Sequence, residues 1–350
     1  MRVSKSHSAA VSRRAALAGL AASAFAAPAF AQGADSPAHG VRSIEIAASP
    51  IDTFSRLSRD TTFGRLTFRG GLVLTSADRD FGGLSGIAIE PNGRSFVAIS
   101  DEGSWLTADL ILTGSKPKVI ANARLGPILA SNGKPVLRKR DKDCEAVAIL
   151  DGDLTRGTLL MAFERTHRIE RFPVVDRIVQ APVGALRMPL EARQMNANKG
   201  LEAMTVMAGG PYKGAVIAYS ERFPDADGNH TGWLWVDGEP SRLGLRNIGG
   251  FDLTDVASLP DGALIMLERR FRWTEGVRMQ LRLIPSAEIA PGRVAEGQIL
   301  LTADLTSEID NMEGLAVHRD AAGATVLTLI SDDNFNPVLQ RTILLQFSFA

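Results

Sequence analysis

Acidic residues recur through this sequence at two fixed positions relative to short apolar segments. Glutamates open such segments at Glu145, Glu202 and Glu313. A second set of acids ends the apolar segment that follows each turn, and it comprises Asp101, Glu164, Glu221, Glu268 and Asp332. Carboxylates that are brought together without cations must be protonated, pair with bases or bind a metal ion. The spacing therefore points to metal or acid–base chemistry, provided that the fold brings these positions together.

The two sets of acids are assigned different roles. We expect Glu145, Glu202 and Glu313 to be the catalytic residues, and the second set to be metal ligands. Oxygen-only ligand sets suit Ca²⁺, which accepts six to eight hard ligands in flexible geometry. A cation held there could polarise a phosphoryl or ester oxygen. The candidate cofactor is Ca²⁺, and no organic cofactor is expected.

Arginines directly follow three acids of the second set. These arginines are Arg165, Arg222 and Arg269, and they are candidate substrate-binding residues because guanidinium groups grip phosphate or carboxylate in a bidentate manner. Two other interpretations stay open. The acids and arginines could form salt bridges that hold repeated units in register, or the acids could act by direct acid–base catalysis without metal.

The acids belong to a repeat of five units. The opening positions 85, 145, 202, 254 and 313 lie 60, 57, 52 and 59 residues apart, which is typical of a repeat architecture. The repeats are unequal, because Ser85 and Thr254 stand where the other units have glutamate, and Asp255 follows Thr254. A symmetric ring of carboxylates is therefore excluded, and an asymmetric cluster is expected.

The repeat predicts an all-β fold. Each unit of about 55 residues has room for a four-stranded sheet, and such sheets repeated radially form a β-propeller. We predict six blades, with the sixth built from Val41–Ser76 and the C-terminal strand Thr342–Phe349, so that pairing of the two chain ends closes the ring. Five blades or an irregular sandwich are the alternatives.

The N-terminus has the pattern of an export signal. Basic residues, including the pair Arg13-Arg14, precede an uncharged alanine-rich run that ends in Ala29-Phe30-Ala31. The paired arginines favour twin-arginine export, with the ordinary secretory route as the alternative. We therefore expect a signal peptide over residues 1–31, cleavage near Ala31, and one domain over residues 32–350. The precursor would bind the export machinery, and the mature chain would reside in the periplasm or outside the cell after cleavage.

Composition excludes several classes of function. The full chain has 39 basic and 39 acidic residues, and removal of the signal leaves an excess of four acids, so no nucleic-acid footprint is expected. Cys144 is the single cysteine, which excludes an intrachain disulfide and a cysteine-based zinc site. The N-terminal apolar run, Ala15 to Ala31, is short for a membrane span at 17 residues, and no second apolar stretch of that length follows. We expect a monomer whose partner is a small molecule.

Several motifs resemble one known family. They are Phe81-Gly82-Gly83-Leu84-Ser85-Gly86, Asn198-Lys199-Gly200-Leu201-Glu202-Ala203, Gly250-Phe251-Asp252-Leu253-Thr254-Asp255, Asn311-Met312-Glu313-Gly314 and Ser331-Asp332-Asp333-Asn334-Phe335. Their types and order resemble the phytase-like domain family, which is described as having esterase-like activity. The resemblance covers the chain from about residue 80 to the C-terminus. It implies a β-propeller and a hydrolase of esters or phosphoesters.

These observations lead to two functional hypotheses. The first is a metal-assisted hydrolase that cleaves a small phosphoester or ester at the mouth of the central channel. The alternative is a non-catalytic propeller of the cell envelope that binds a ligand or a protein partner. The propeller itself does not decide between them, since function resides in the site and not in the scaffold.

Overall fold

Antiparallel strands make up nearly all of the regular secondary structure. A computed structural model describes residues 40–350, so the predicted signal peptide lies outside the described residues. The alternation of apolar and polar residues and the frequent glycine turns favour strands over helices. Within residues 40–350, no helix has the length and apolar character needed to cross a membrane.

Four strands precede the first repeated unit: β1 (Arg42–Ser43), β2 (Ala47–Ile51), β3 (Thr62–Phe63) and β4 (Leu66–Thr75). The first unit then contributes β5 (Leu84–Ile89), β6 (Ser95–Ser100), β7 (Ser104–Thr113) and β8 (Lys116–Pro127). These four strands form blade 1 in sequence order, and β1 adds to its outer edge beside β8.

The second and third units follow a short helix, α1 (Lys139–Lys142). Blade 2 consists of β9 (Cys144–Gly152), β10 (Arg156–Phe163), β11 (Arg168–Val175), β12 (Ile178–Val179) and β13 (Gly184–Ala185). Blade 3 consists of β14 (Leu201–Val206), β15 (Val216–Ser220), β16 (His230–Val236) and β17 (Glu239–Leu245). Short 3₁₀ helices cover Leu190–Gln194 and Gly210–Tyr212 in this region.

The last two units complete the structure. Blade 4 consists of β18 (Asp252–Ser258), β19 (Leu264–Arg272), β20 (Gly276–Ile284) and β22 (Gln298–Ala303). A 3₁₀ helix at Ser286–Glu288 follows β20, and β21 (Val294–Ala295) pairs in parallel with β17 of blade 3. Blade 5 contains β23 (Asn311–Arg319), β24 (Thr325–Asp332) and β25 (Thr342–Phe349).

The propeller has five blades, and the prediction of six was wrong. Strand β4 pairs with β25, and β2 and β3 pair with β4, so these strands belong to the fifth sheet. The five predicted openings already account for all the inner strands of the described part. The N-terminal strands supply the outer part of blade 5, where the C-terminal unit alone provides three strands.

The inner strands of the five blades surround one axis. They are β5, β9, β14, β18 and β23, and each contacts the inner strands of two neighbouring blades. Five clusters of buried apolar side chains lie between successive blades, such as Trp105 with Phe163 between blades 1 and 2. Burial of apolar surface between sheets therefore holds each blade against the next.

One fully buried ion pair lies within blade 4. Glu268 on β19 accepts a hydrogen bond from Arg282 on β20, and neither side chain is exposed to solvent. Gln280 Nε2 also donates to Glu268 at 2.8 Å. Arg282 Nη1 donates to the carbonyl oxygens of Arg246 and Glu296, at 2.7 and 3.1 Å. The pair thus links the blade to the segments around it.

Loss of one member of this pair should destabilise the fold. We expect Glu268→Gln to lower the free energy of unfolding by about 3–5 kcal/mol, because the Arg282 charge stays buried without a carboxylate partner. Urea unfolding in the presence of a chelator measures this change. Glu239→Gln is the matched control, because Glu239 pairs with Arg187 at the exposed surface, where an ion pair contributes less than about 1 kcal/mol. Equal effects of the two substitutions would contradict the prediction.

Candidate functional site

A β-bulge occurs at the equivalent position of every inner strand. In each blade the register between the first two strands skips one residue, and these residues are Ser85, Glu145, Glu202, Thr254 and Glu313. A bulge places a residue outside the regular ladder and re-aims its side chain. The five opening positions of the sequence repeat are therefore the five bulged positions of the propeller.

The two bulged hydroxyl residues bind the neighbouring blade. Ser85 Oγ donates to the carbonyl oxygen of Cys144 at 2.6 Å, and Thr254 Oγ1 donates to that of Met312 at 3.2 Å. In both cases the acceptor residue directly precedes the bulged glutamate of the next blade. Ser85 and Thr254 therefore fix the backbone from which Glu145 and Glu313 project.

The three bulged glutamates line one cavity at the end of the channel where the inner strands begin. The cavity has a volume of about 540 Å³. Seven carboxylate residues line it, namely Asp101, Glu145, Glu164, Glu202, Glu221, Glu313 and Asp332. Two basic residues also line it, Lys199 and Arg269. The carboxylates therefore outnumber the cations in the lining by five.

Both basic residues of the lining are engaged with carboxylates. Arg269 Nε lies 3.1 Å from Glu313 Oε1, which joins blade 4 to blade 5. Lys199 forms an ion pair with Glu221. A further lysine outside the lining, Lys139, contacts Asp101 Oδ2 at 2.8 Å. Each of these contacts neutralises one acid.

Four carboxylates of the cavity have no lysine or arginine within ion-pair distance among residues 40–350, and they are Glu145, Glu164, Glu202 and Asp332. The first three come from two neighbouring blades, since Glu145 and Glu164 belong to blade 2 and Glu202 to blade 3, whereas Asp332 ends β24 of blade 5. Their charges are compensated only by protons or by something that enters the cavity.

Burial and mutual repulsion raise the pKa values of these acids. Burial, with nearby carboxylates as a further cause, holds the pKa of Glu145 and of Glu202 well above the usual range. Burial and the charge of Asp143 raise the pKa of Glu164 to about 7. The site therefore takes up protons when no cation is present.

Two further cavity acids also bind protons more tightly than usual. Burial raises the pKa of Glu313 to about 7, although the charge of Arg269 opposes this shift. Burial raises the pKa of Asp332 to about 7, although the backbone N–H of Asn334 opposes it. Groups that titrate near neutrality can donate or accept a proton at physiological pH.

The spacing of the carboxylate oxygens fits a cation of the size of Ca²⁺. Oxygens of Glu164, Glu202 and Glu221 lie within 4.8 Å of one another, and so do oxygens of Asp143, Glu145 and Glu164. Two ligands at about 2.3–2.6 Å from one Ca²⁺ lie at most about 5 Å apart. Both triads meet this limit, and Glu164 belongs to both.

Several residues predicted from the sequence lie outside the cavity. Arg165 pairs with Asp143, Arg222 pairs with Asp252 of the next blade, and Glu268 is buried against Arg282. Of the three candidate arginines, Arg269 alone lines the cavity. The salt-bridge interpretation thus describes Arg165, Arg222, Glu268 and the pair of Arg269 with Glu313, while it leaves Glu145, Glu164, Glu202 and Asp332 unexplained.

Sequence reasoning missed other residues of the site. Asn198, Lys199 and Asn311 line the cavity, and Asp143 contributes to one triad. Asn198, Lys199 and Asn311 precede a bulged glutamate by two to four residues and lie in motifs that carry the family resemblance. Their location in these motifs could have identified them from the sequence. Asp255 is also notable, because it is buried outside the lining and accepts a hydrogen bond from Leu315 N at 2.7 Å.

The raised pKa values predict how stability depends on pH. The carboxyl groups of Glu164 and Glu313 release protons near pH 7 in the folded protein, but at their ordinary value of 4.5 when unfolded. Between these values the folded state binds more protons, so its stability falls as pH rises. In chelator, we expect the melting temperature to decrease from about pH 5 to about pH 8.

Calcium should remove most of this pH effect. A cation that binds only the ionised acids stabilises the folded state most at the higher pH. Differential scanning fluorimetry with and without millimolar Ca²⁺ measures both effects, and Glu164→Gln should weaken both. A melting temperature that rises with pH in chelator would contradict the assigned pKa directions.

Comparisons with solved structures find distant similarity. The chain is similar to an endo-arabinase from Bacteroides thetaiotaomicron, at 12% identity over 76% of this chain and 94% of that chain, with a TM-score of 0.46. It is also similar to the β-propeller domain of Cps50 (Swd1) from Myceliophteria thermophila, at 8% identity over 88% of this chain and 100% of that one, with a TM-score of 0.38.

A third similar structure is the dihydro-heme d1 dehydrogenase NirN, at 14% identity over 81% of this chain and 54% of that chain, with a TM-score of 0.33. Similarity at this level carries no conclusion about activity. None of the curated proteins compared with the chain matches it.

A protein-family model gives the more specific result. Residues 79–335 match the model of the phytase-like family, which is described as esterase-like activity of phytase. The matched segment contains all five bulged positions and all seven acids of the cavity, and it confirms the resemblance found in the sequence motifs. This chain belongs to the phytase-like family.

Proposed function

We propose that the protein is an exported, cation-assisted hydrolase that cleaves a small ester or phosphoester in the acidic cavity. The observation that carries this proposal is the group formed by Glu145, Glu164 and Glu202, which lacks a cationic partner among the described residues although it is half-buried or buried. The family description adds esterase-like activity. Export rests on the twin-arginine pattern of residues 1–31.

The residues that would hold the cation are Glu164, Glu202 and Glu221, with Glu145 beside them. The triad that contains Asp143 is less suited, because Asp143 already has two basic partners, Lys139 Nζ at 2.9 Å and Arg165, whereas Glu221 has one, Lys199. A ligand set of carboxylate oxygens favours Ca²⁺ over softer metals. When bound, the cation supplies Lewis-acid polarisation of a carbonyl or phosphoryl oxygen.

Proton transfer in this proposal falls to Glu313. Its pKa of about 7 lets it accept a proton from the attacking water and return one to the leaving group near neutral pH. Arg269 contacts Glu313 through Nε, which leaves the other N–H groups of the guanidinium for an oxygen of the substrate. Glu313 and Arg269 would thus act together on one side of the scissile bond.

Substitution of Glu202 tests the proposal directly. We expect Glu202→Gln to reduce turnover at least about 100-fold and to weaken the stabilisation by Ca²⁺. Its melting temperature in chelator should equal or exceed that of the unchanged protein, because the amide removes a repelled carboxylate. Hydrolysis of p-nitrophenyl acetate and p-nitrophenyl phosphate, followed with and without chelator, measures turnover.

Glu239→Gln is the control, because it neutralises an exposed glutamate outside the cavity. Turnover that survives Glu202→Gln, or that is insensitive to chelator, would contradict the cation-assisted mechanism. Retained Ca²⁺ binding with no hydrolysis of either substrate would favour the non-catalytic binding propeller.

A further inference from the structure

Side chains along β19 become more exposed toward the mouth of the cavity. Arg269 has a side-chain exposure of 24%, Phe271 is 50% exposed, and Trp273 in the following turn is 93% exposed. Arg269 and Phe271 line the cavity, as expected for residues two apart on one face of a strand. The Phe271 and Trp273 rings meet edge to face with centroids 5.5 Å apart. The aromatic pair of Phe271 and Trp273 therefore lies at the mouth of the cavity, on the solvent side of Arg269.

Other apolar side chains extend this surface. Val277, which is half-buried, faces Phe271 across the β19–β20 pair and also lines the cavity. Leu339, in the loop between β24 and β25, lines the cavity from blade 5 and is 79% exposed. We call Phe271, Trp273, Val277 and Leu339 the apolar rim. Exposed apolar residues that are grouped beside a polar cavity mark a surface that contacts a ligand.

The charges of the cavity act against a polyanionic ligand. Five more carboxylates than basic residues line the cavity, and both basic residues already contact carboxylates. When the acids are ionised, one Ca²⁺ offsets only two of these charges, and protonation of the acids lowers the repulsion but supplies no cation for a phosphate group. Inositol hexakisphosphate, with six phosphate groups, would meet repulsion at short range. A ligand with no charge or a single charge avoids this repulsion.

We propose that the ligand is an ester with at most one negative charge and an apolar, preferably aromatic, substituent. Its scissile bond lies in the acidic cavity, and its substituent packs on the apolar rim. The reaction rests on the proposed function: the oxygen of water forms a bond to the acyl carbon, the ester C–O bond breaks, and the alcohol leaves with a proton. The ligand class rests on the rim and on the charge balance.

Binding of phosphonate monoesters, which mimic the tetrahedral intermediate of ester hydrolysis and have no acyl carbon, tests the ligand class separately from cleavage of a carboxylic ester. Methyl methylphosphonate and benzyl methylphosphonate each carry one negative charge and differ in the apolar substituent. In the presence of Ca²⁺, titration calorimetry should show at least about tenfold tighter binding of the benzyl analogue, because stacking and apolar burial are available only to it. Inositol hexakisphosphate should bind most weakly of the three.

Trp273→Ala should reduce the benzyl preference about tenfold, whereas Ile111→Ala should leave it unchanged. Ile111 is a matched control because it is an exposed apolar residue (44%) near the opposite end of blade 1 and lies outside the cavity lining. Equal binding of the two phosphonates would overturn the inference. So would a benzyl preference that survives Trp273→Ala, or tightest binding of inositol hexakisphosphate.

The same samples, assayed with p-nitrophenyl acetate, separate this inference from the proposed function. A benzyl preference that depends on Trp273, in a protein that hydrolyses no ester, would support the ligand class and overturn the hydrolase. Ester hydrolysis without any benzyl preference would support the hydrolase and overturn the ligand class.

Discussion

Repulsion between carboxylates that share a cavity is the constraint on which the rest of this structure depends. Glu145, Glu164 and Glu202 come from adjacent blades and have no lysine or arginine partner within the described part of the chain. Folding brings these carboxylates together although they repel one another. The packing between blades must therefore supply enough favourable free energy to offset this repulsion. The five apolar clusters between blades provide that packing. A functional site of this kind lowers the stability of the folded protein, and in return it can bind a cation or another ligand.

The structure separates two uses of charge that look alike in the sequence. Arg222 and Asp252 join blade 3 to blade 4, and Arg269 and Glu313 join blade 4 to blade 5. The first pair lies outside the cavity, and the second lies in its wall. An arginine after an acid therefore has no single role in this chain, because Arg165 and Arg222 lie in the loops after β10 and β15, whereas Arg269 lies within β19.

The positions of the repeat could be predicted from the sequence, and their geometry could not. The spacing of residues 85, 145, 202, 254 and 313 reflects one structural period and located five bulges. The bulges themselves depend on the register in which two strands pair, and a local sequence pattern does not determine that register. Glu268 illustrates the consequence: it occupies the same repeat position as Glu164 and Glu221, but its partner Arg282 lies on the next strand and holds it inside the blade. The blade count failed because β4 and β25, which were assigned to a sixth blade, pair in one sheet with β23 and β24 and so complete the fifth.

The bulges also bear on how such a protein can diverge. A bulged residue is skipped by the ladder, so a new side chain there alters the cavity without removing a backbone hydrogen bond between strands. Ser85 and Thr254 illustrate the exchange, because they occupy the same position as the three glutamates and bind a neighbouring carbonyl instead. Substitutions at the four bulged positions that line the cavity, Ser85, Glu145, Glu202 and Glu313, therefore change its chemical groups and leave the strand pairing in place. Divergence of the site can thus proceed by point substitution while the five blades and their order are kept.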